Sequence, residues 1–165
     1  MMPETIRETF RLWEEQPAKA KSTPTVKARA EESQAVMEAG SFSWRADLPQ
    51  PLGGTNQAPS PTALLLSALA GCAVVFIRDT LAPQLGIRVD AVEATAQCDA
   101  DARGLLGMAG AVPDLQNVRI EIQIQSPDGE SEVRKLFQVW QERCPIYLAL
   151  VNATDVSLTM RITES

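Results

Sequence analysis

The 165-residue sequence predicts an α+β domain, and three stretches carry that reading. From Thr62 to Ile77 every residue is apolar, small or hydroxylic, so a helix there has no polar face and is expected to be buried on all sides. Val118, Ile120, Ile122 and Ile124 alternate with polar residues, the period of a half-buried strand. Val133, Leu136, Phe137 and Trp140 fall at i, i+3, i+4 and i+7, the stripe of a helix packed on one side.

The remaining elements follow in chain order. Residues 5–16 form an amphipathic helix: Thr5 and Glu8 have capping-box spacing, and Ile6, Phe10 and Trp13 share a face. Pro17 ends it, and the linker behind it sets residues 1–21 apart as an appendage to a domain of residues 22–165. Val26, Ala28 and Ala30 alternate with charged residues, a second strand covers about Gln34–Glu38, and Phe42, Trp44 and Ala46 alternate after the Ala39-Gly40 turn. These three strands predict an antiparallel meander. Prolines at 49, 51, 59 and 61 with Gly53-Gly54 mark an irregular loop.

Ser60 then caps the apolar helix and Pro61 opens it, because proline's missing N–H costs nothing at the first helical position. The helix is expected to stop before Pro83, since the residue ahead of a proline disfavours α geometry. Gly86 opens a strand whose alternation shifts parity after Ala91, which predicts a bulge near Ala91-Val92. Residues 99–116 read as a long excursion, the 118–125 strand follows, and Pro127-Asp128-Gly129 turns it into a helix ending near Arg143. Cys144-Pro145 repeats the cap logic for a second helix, which Asn152 stops, and alternating Val156, Leu158, Met160 and Ile162 predict a closing strand.

Composition narrows the chemistry. There is no histidine, which rules out Ser-His-Asp and Cys-His nucleophile arrangements and every His-containing zinc site. Three scattered cysteines without a C-x-x-C pair disfavour a thiolate metal site, and no Gly-rich phosphate loop occurs, so neither metal nor cofactor is expected. A formal charge of −6 argues against nucleic acid and anionic membranes as partners. The 16-residue apolar run falls short of the ~20 needed to span a bilayer. The acidic start lacks the basic flank of a signal peptide, and an odd, sparse set of thiols suits a reducing compartment, so the expected location is the cytoplasm.

The cysteines differ in promise. Cys72 sits about twelve residues into its helix, too deep for the helix dipole to help, and burial alone would leave its thiol inert. Cys144, at a helix N-cap, faces unpaired N–H groups that favour a thiolate. Cys98, at a strand end, has nothing to activate it and reads as a packing residue.

The loop GGTNQAPSP, the helix PTALLLSALAGC, and the second cysteine in RCPIYLAL together resemble the OsmC/Ohr superfamily of osmotically inducible and organic hydroperoxide resistance proteins, over roughly residues 22–165. DADARGLLG is similar to the D-x-D-x-R-G segment of an OsmC-like branch of that superfamily. The resemblance implies an intertwined homodimer, with antiparallel sheets packed around long, buried central helices and active sites at the subunit interface. It also implies a thiol peroxidase acting on organic hydroperoxides. Cys72 would form a sulfenic acid, Cys144 would condense with it to a disulfide, and a dithiol reductant of the dihydrolipoyl type would reset the pair. The family's activating arginine is matched best by Arg45 in FSWRADLP, with Arg29 as the alternative. One departure stands out: the family glutamate near the start of the cysteine helix is replaced by Thr62, with Asp47 as a substitute carboxylate in the preceding loop. That departure motivates a second reading, a non-catalytic OsmC-like dimer that binds a hydrophobic ligand or serves as a redox sensor.

Overall fold

The computed structural model describes residues 2–152 and 154–162. Helix α1 spans Glu4–Glu15 and buries none of its residues; Phe10 and Trp13 on its apolar stripe remain about half exposed. Its N-cap is Pro3 rather than the expected Thr5, with the Ile6 and Arg7 amides donating to the Pro3 carbonyl. A 3-10 turn at Pro17–Ala20 follows.

Strands β1 (Lys27–Glu31), β2 (Gln34–Ala39) and β3 (Phe42–Ala46) form the expected antiparallel meander in the order β1-β2-β3. Register places Arg29, Val36 and Arg45 in one row across it. Because side chains alternate, one face carries these arginines with Glu31, Gln34 and Glu38, and the other carries alanines, Met37, Phe42 and Trp44. Phe42 is 74% exposed, so the apolar face is left uncovered at that end.

The loop after β3 is built around Asp47, a buried carboxylate. It accepts hydrogen bonds from the backbone amides of Leu48 (2.7 Å), Thr55 (3.1 Å) and Gln57 (2.9 Å) and from the Thr55 hydroxyl (2.5 Å). The Thr55 hydroxyl bond first, and the amides with it, hold its carboxyl far below the ordinary carboxylate range. Gly54 closes the loop against Leu48, where a Cβ would meet the Leu48 carbonyl oxygen at 1.9 Å. Gly54→Ala is therefore expected to lower the thermal midpoint, measured by circular dichroism, because the clash is with backbone that cannot swing aside.

Helix α2 (Pro61–Phe76) starts as expected, with the Ser60 hydroxyl accepting the Ala63 amide at 3.1 Å. It does not stop before Pro83. A π turn at Ile77–Leu81 carries it into α3 (Ala82–Leu85), giving a continuous helix of 25 residues. The wider turn shifts the hydrogen-bond ladder so that Pro83 falls in the first turn of α3, where its missing N–H costs little. Gly86, at φ +69°, ends α3 in the left-handed conformation rather than opening a strand; the Ile87 amide donates to Ala82 and the Gly86 amide to Pro83. By length and mean hydropathy (1.8) this helix could cross a bilayer, longer than the apolar run alone suggests. In the fold it is a packing helix: Leu69, Ala73, Ile77 and Leu81 are buried, and the core they form includes Leu136 and Trp140. The burial is one-sided. Leu65, Ala68, Gly71 and Val75 stay exposed, so within a single chain the helix is not enclosed as its composition suggests.

Strand β4 (Ala91–Asp99) pairs antiparallel with β5 (Gln116–Gln125), and Val92, Ala94, Ala96, Ile120, Ile122 and Ile124 pack toward the core. The register irregularity lies at Gln97–Asp99, opposite Asn117 at φ +49°, and not near Ala91-Val92. The parity shift in the sequence has a simpler cause: Ile87 and Val89 precede the strand. The excursion between β4 and β5 holds a short helix, α4 (Ala102–Leu105), capped by Asp101. Helices α5 (Glu130–Arg143) and α6 (Pro145–Val151) complete the domain. No strand forms in residues 154–162: Val156, Leu158, Met160 and Ile162 are between 80% and 94% exposed. An alternating segment becomes a strand only when another edge takes its hydrogen bonds, and among the described residues it pairs with none.

Candidate active site

The packing of α2 against α6 brings together two cysteines that lie 72 residues apart in sequence. Cys72 and Cys144 share a hydrogen bond with their sulfurs 3.1 Å apart. Cys144 caps α6 as its sequence suggests: its sulfur accepts from the Tyr147 amide at 3.5 Å, and its own amide donates to the Trp140 carbonyl at 2.8 Å. Trp140 is fully buried one turn before Cys144, and its ring stacks on Phe137 and meets Tyr147 at 5.2 Å between centroids. Cys144 is 0% exposed, whereas Cys72 is only half-buried. A reagent from solvent therefore reaches Cys72 first.

Burial, then the hydrogen bond and charge of Cys144, push the Cys72 thiol up to about 12, with the Ile146 amide acting the other way. No arginine is among the groups acting on it. Arg45 donates to Gln34 at 3.1 Å and pairs with Glu31, while Arg29 pairs with Glu38 at 2.7 Å and with Glu31 at 3.4 Å. Glu31 is held below the ordinary carboxylate range by Arg45 first and Arg29 second. The carboxylate shared by both candidate arginines is thus Glu31, while Asp47 is held mainly by its own loop and reaches Arg45 only through Gln34, whose amide donates to it at 3.5 Å. Sequence reasoning missed Glu31; its spacing two residues after Arg29 on a strand, which puts both on one face, was the available signal. Thr62 lies ten residues before Cys72 on the same helix, about 15 Å along the axis, so the chain does not bring it to its own thiol. Cys98 sits half-buried beside the β4 irregularity. Among the described residues no cluster of carboxylates or thiols forms a metal site.

The sulfurs can form a disulfide with little rearrangement, since the bond needs ~2.05 Å between them and they already touch. Among the described residues no cation acts on Cys72 to hold it as thiolate.

A family model described as OsmC-like protein matches residues 54–159. No curated protein sequence matches the chain. Among solved structures, an OsmC-like protein from Mycoplasma pneumoniae superposes with a TM-score of 0.66 at 22% identity, covering 81% of this chain and 90% of that one. An organic hydroperoxide resistance protein from Legionella pneumophila gives 0.59 at 23% identity, with 78% and 89% coverage. The organic hydroperoxide resistance protein OhrB of Bacillus subtilis gives 0.51 at 19% identity, with 85% and 98% coverage. At these identities the likeness is one of fold.

Proposed function

Since the chain belongs to the OsmC-like protein family, we propose that it is a thiol-dependent peroxidase that reduces organic hydroperoxides. The contact between an accessible Cys72 and an enclosed Cys144 carries this reading. The Cys72 thiolate attacks the outer peroxide oxygen, the O–O bond breaks, and the alcohol leaves with a proton. Cys72 is then a sulfenic acid, and the Cys144 thiol displaces its oxygen as water to give the Cys72–Cys144 disulfide. A dithiol of the dihydrolipoyl type takes up the oxidation by exchange and restores both thiols. The site is bordered by Leu69, Ala73, Ile146 and Tyr147, which suits an alkyl or aryl hydroperoxide over hydrogen peroxide. The compartment that keeps such thiols reduced is the cytoplasm.

Activation requires a second copy of the chain. The exposed α2 face, the uncovered meander face with Phe42 and Trp44, and the unpaired 154–162 segment are apolar surfaces that a homodimer covers. The same association carries Arg45, or Arg29 in its place, to the other copy's Cys72, where a guanidinium that never loses its charge stabilises the thiolate. Residues 22–165 form this dimerising domain, with 1–21 as an appendage.

The pH dependence of alkylation tests the activation. A thiol raised to about 12 is almost wholly protonated at neutral pH, so its reactivity climbs only as pH rises toward that value. By the same sign, the reduced state loses stability as pH rises from about 8.5, the ordinary thiol value, toward 12. In a Cys144→Ser background, Cys72 is expected to react with iodoacetamide near neutral pH when Arg45 is present. Only at alkaline pH should it react in Arg45→Met and Arg29→Met together. Identical profiles with and without the arginines exclude them as activators.

A further inference from the structure

The thiols lie partway along the central helix; its N-terminus carries a separate feature. Between the loop that follows β3 and the excursion that carries α4 lies a cavity of about 450 Å³, floored by Pro61 and Thr62. We propose that this cavity is a binding site for an uncharged, largely apolar small molecule bearing one hydrogen-bonding group, such as an alcohol, ketone or ester. The inference is independent of the thiol chemistry.

Both walls are built without help from a ligand. One is held by the amide bonds to Asp47 and the Gly54 closure described above. The other is held by Gly104, packed so tightly on the Val112-Pro113 backbone that a Cβ would meet it at 2.5 Å. Asp101 fixes the same wall by accepting the Arg103 amide at 3.0 Å. Walls already ordered lower the entropic cost of binding. The volume lies in the range of small-molecule sites, and the lining is dominated by Leu48, Leu52, Leu105 and Leu115.

The polar groups define the chemistry. Among the described residues Asp101 is the one ionised side chain in the lining, and the Arg103 guanidinium already pairs with it at 2.6 Å. A carboxylate or ammonium on a ligand would find no unpaired counter-charge there. Thr62 makes no hydrogen bond through its hydroxyl among the described residues and is free to serve one polar atom.

The probe is N-phenyl-1-naphthylamine, neutral and fluorescent in apolar surroundings, titrated into the full-length protein. Saturable binding at one site per chain is expected, weakened at least tenfold by Leu52→Lys and by Leu105→Lys. Leu105 is 63% exposed, so its replacement leaves the core untouched. The sulfonate-bearing analogue 1-anilinonaphthalene-8-sulfonate is expected to bind at least tenfold more weakly, and 1-decanol to displace the neutral probe. Binding is also expected to persist in Cys72→Ser with Cys144→Ser, since the cavity needs neither thiol. Absence of saturable binding, equal binding by both lysine variants, preference for the sulfonate, or binding that strengthens on dilution because a second copy fills the cavity would each overturn the proposal.

Discussion

Replacing Cys72 by serine is expected to reduce the consumption of cumene hydroperoxide to the uncatalysed rate. Of the three cysteines, Cys72 is the one that solvent reaches and that also touches a second thiol. A serine hydroxyl at that place has neither the acidity nor the polarisability to open an O–O bond. Cys144→Ser should behave differently. Its first turnover proceeds, then Cys72 stalls as a sulfenic acid and, with excess peroxide, moves to the irreversible sulfinic state, visible by mass spectrometry. Cys98→Ser should leave the rate unchanged. An active Cys72→Ser protein contradicts the assignment of the nucleophile.

The largest effect on stability is expected at Trp140. Its side chain is fully buried at the centre of the core that joins the central helix, α5 and α6. Trp140→Ala should cost about 3–5 kcal/mol, the usual loss when a buried aromatic leaves a cavity. That is a large share of the ~5–15 kcal/mol that holds a domain folded, and the urea midpoint measures it. Trp140→Phe should cost much less, because the indole N–H has no hydrogen-bond partner among the described residues and its removal relieves an unsatisfied buried donor. Because the Trp140 ring packs on Tyr147, whose amide donates to the Cys144 sulfur, Trp140→Ala should also slow disulfide formation, whereas an effect on stability alone would leave that step unchanged.

Much of the fold was legible because local chemistry fixed it. Ser60-Pro61 and Cys144-Pro145 each carry a cap and a pre-set φ in adjacent residues, and both helices begin there. Alternation located the meander and β5 because one face of each strand is apolar. Where a tertiary arrangement decided, the sequence misled. Pro83 looked like a stop, yet a π turn absorbed it, and nothing in Ile77–Leu81 announces that turn. Gly86 marked a boundary but of the wrong kind, a helix end rather than a strand start. The apolar helix and the alternating 154–162 segment both signalled burial that a single chain does not supply. The site divided along the same line. Family resemblance singled out both cysteines, but their contact depends on how α6 packs on α2. The arginines could be placed on one row of the meander only once the register was known. The engagement of Glu31 with both of them depended on side-chain geometry.

The most direct measurement is a count of thiols after one equivalent of cumene hydroperoxide per chain is added to the fully reduced protein, with peptide mapping by mass spectrometry. Of the three cysteines, two thiols should disappear, the intact mass should fall by two hydrogen atoms, and a cross-linked peptide should join Cys72 to Cys144 while Cys98 stays reduced. Retention of all three thiols, or a disulfide that includes Cys98, would contradict the account.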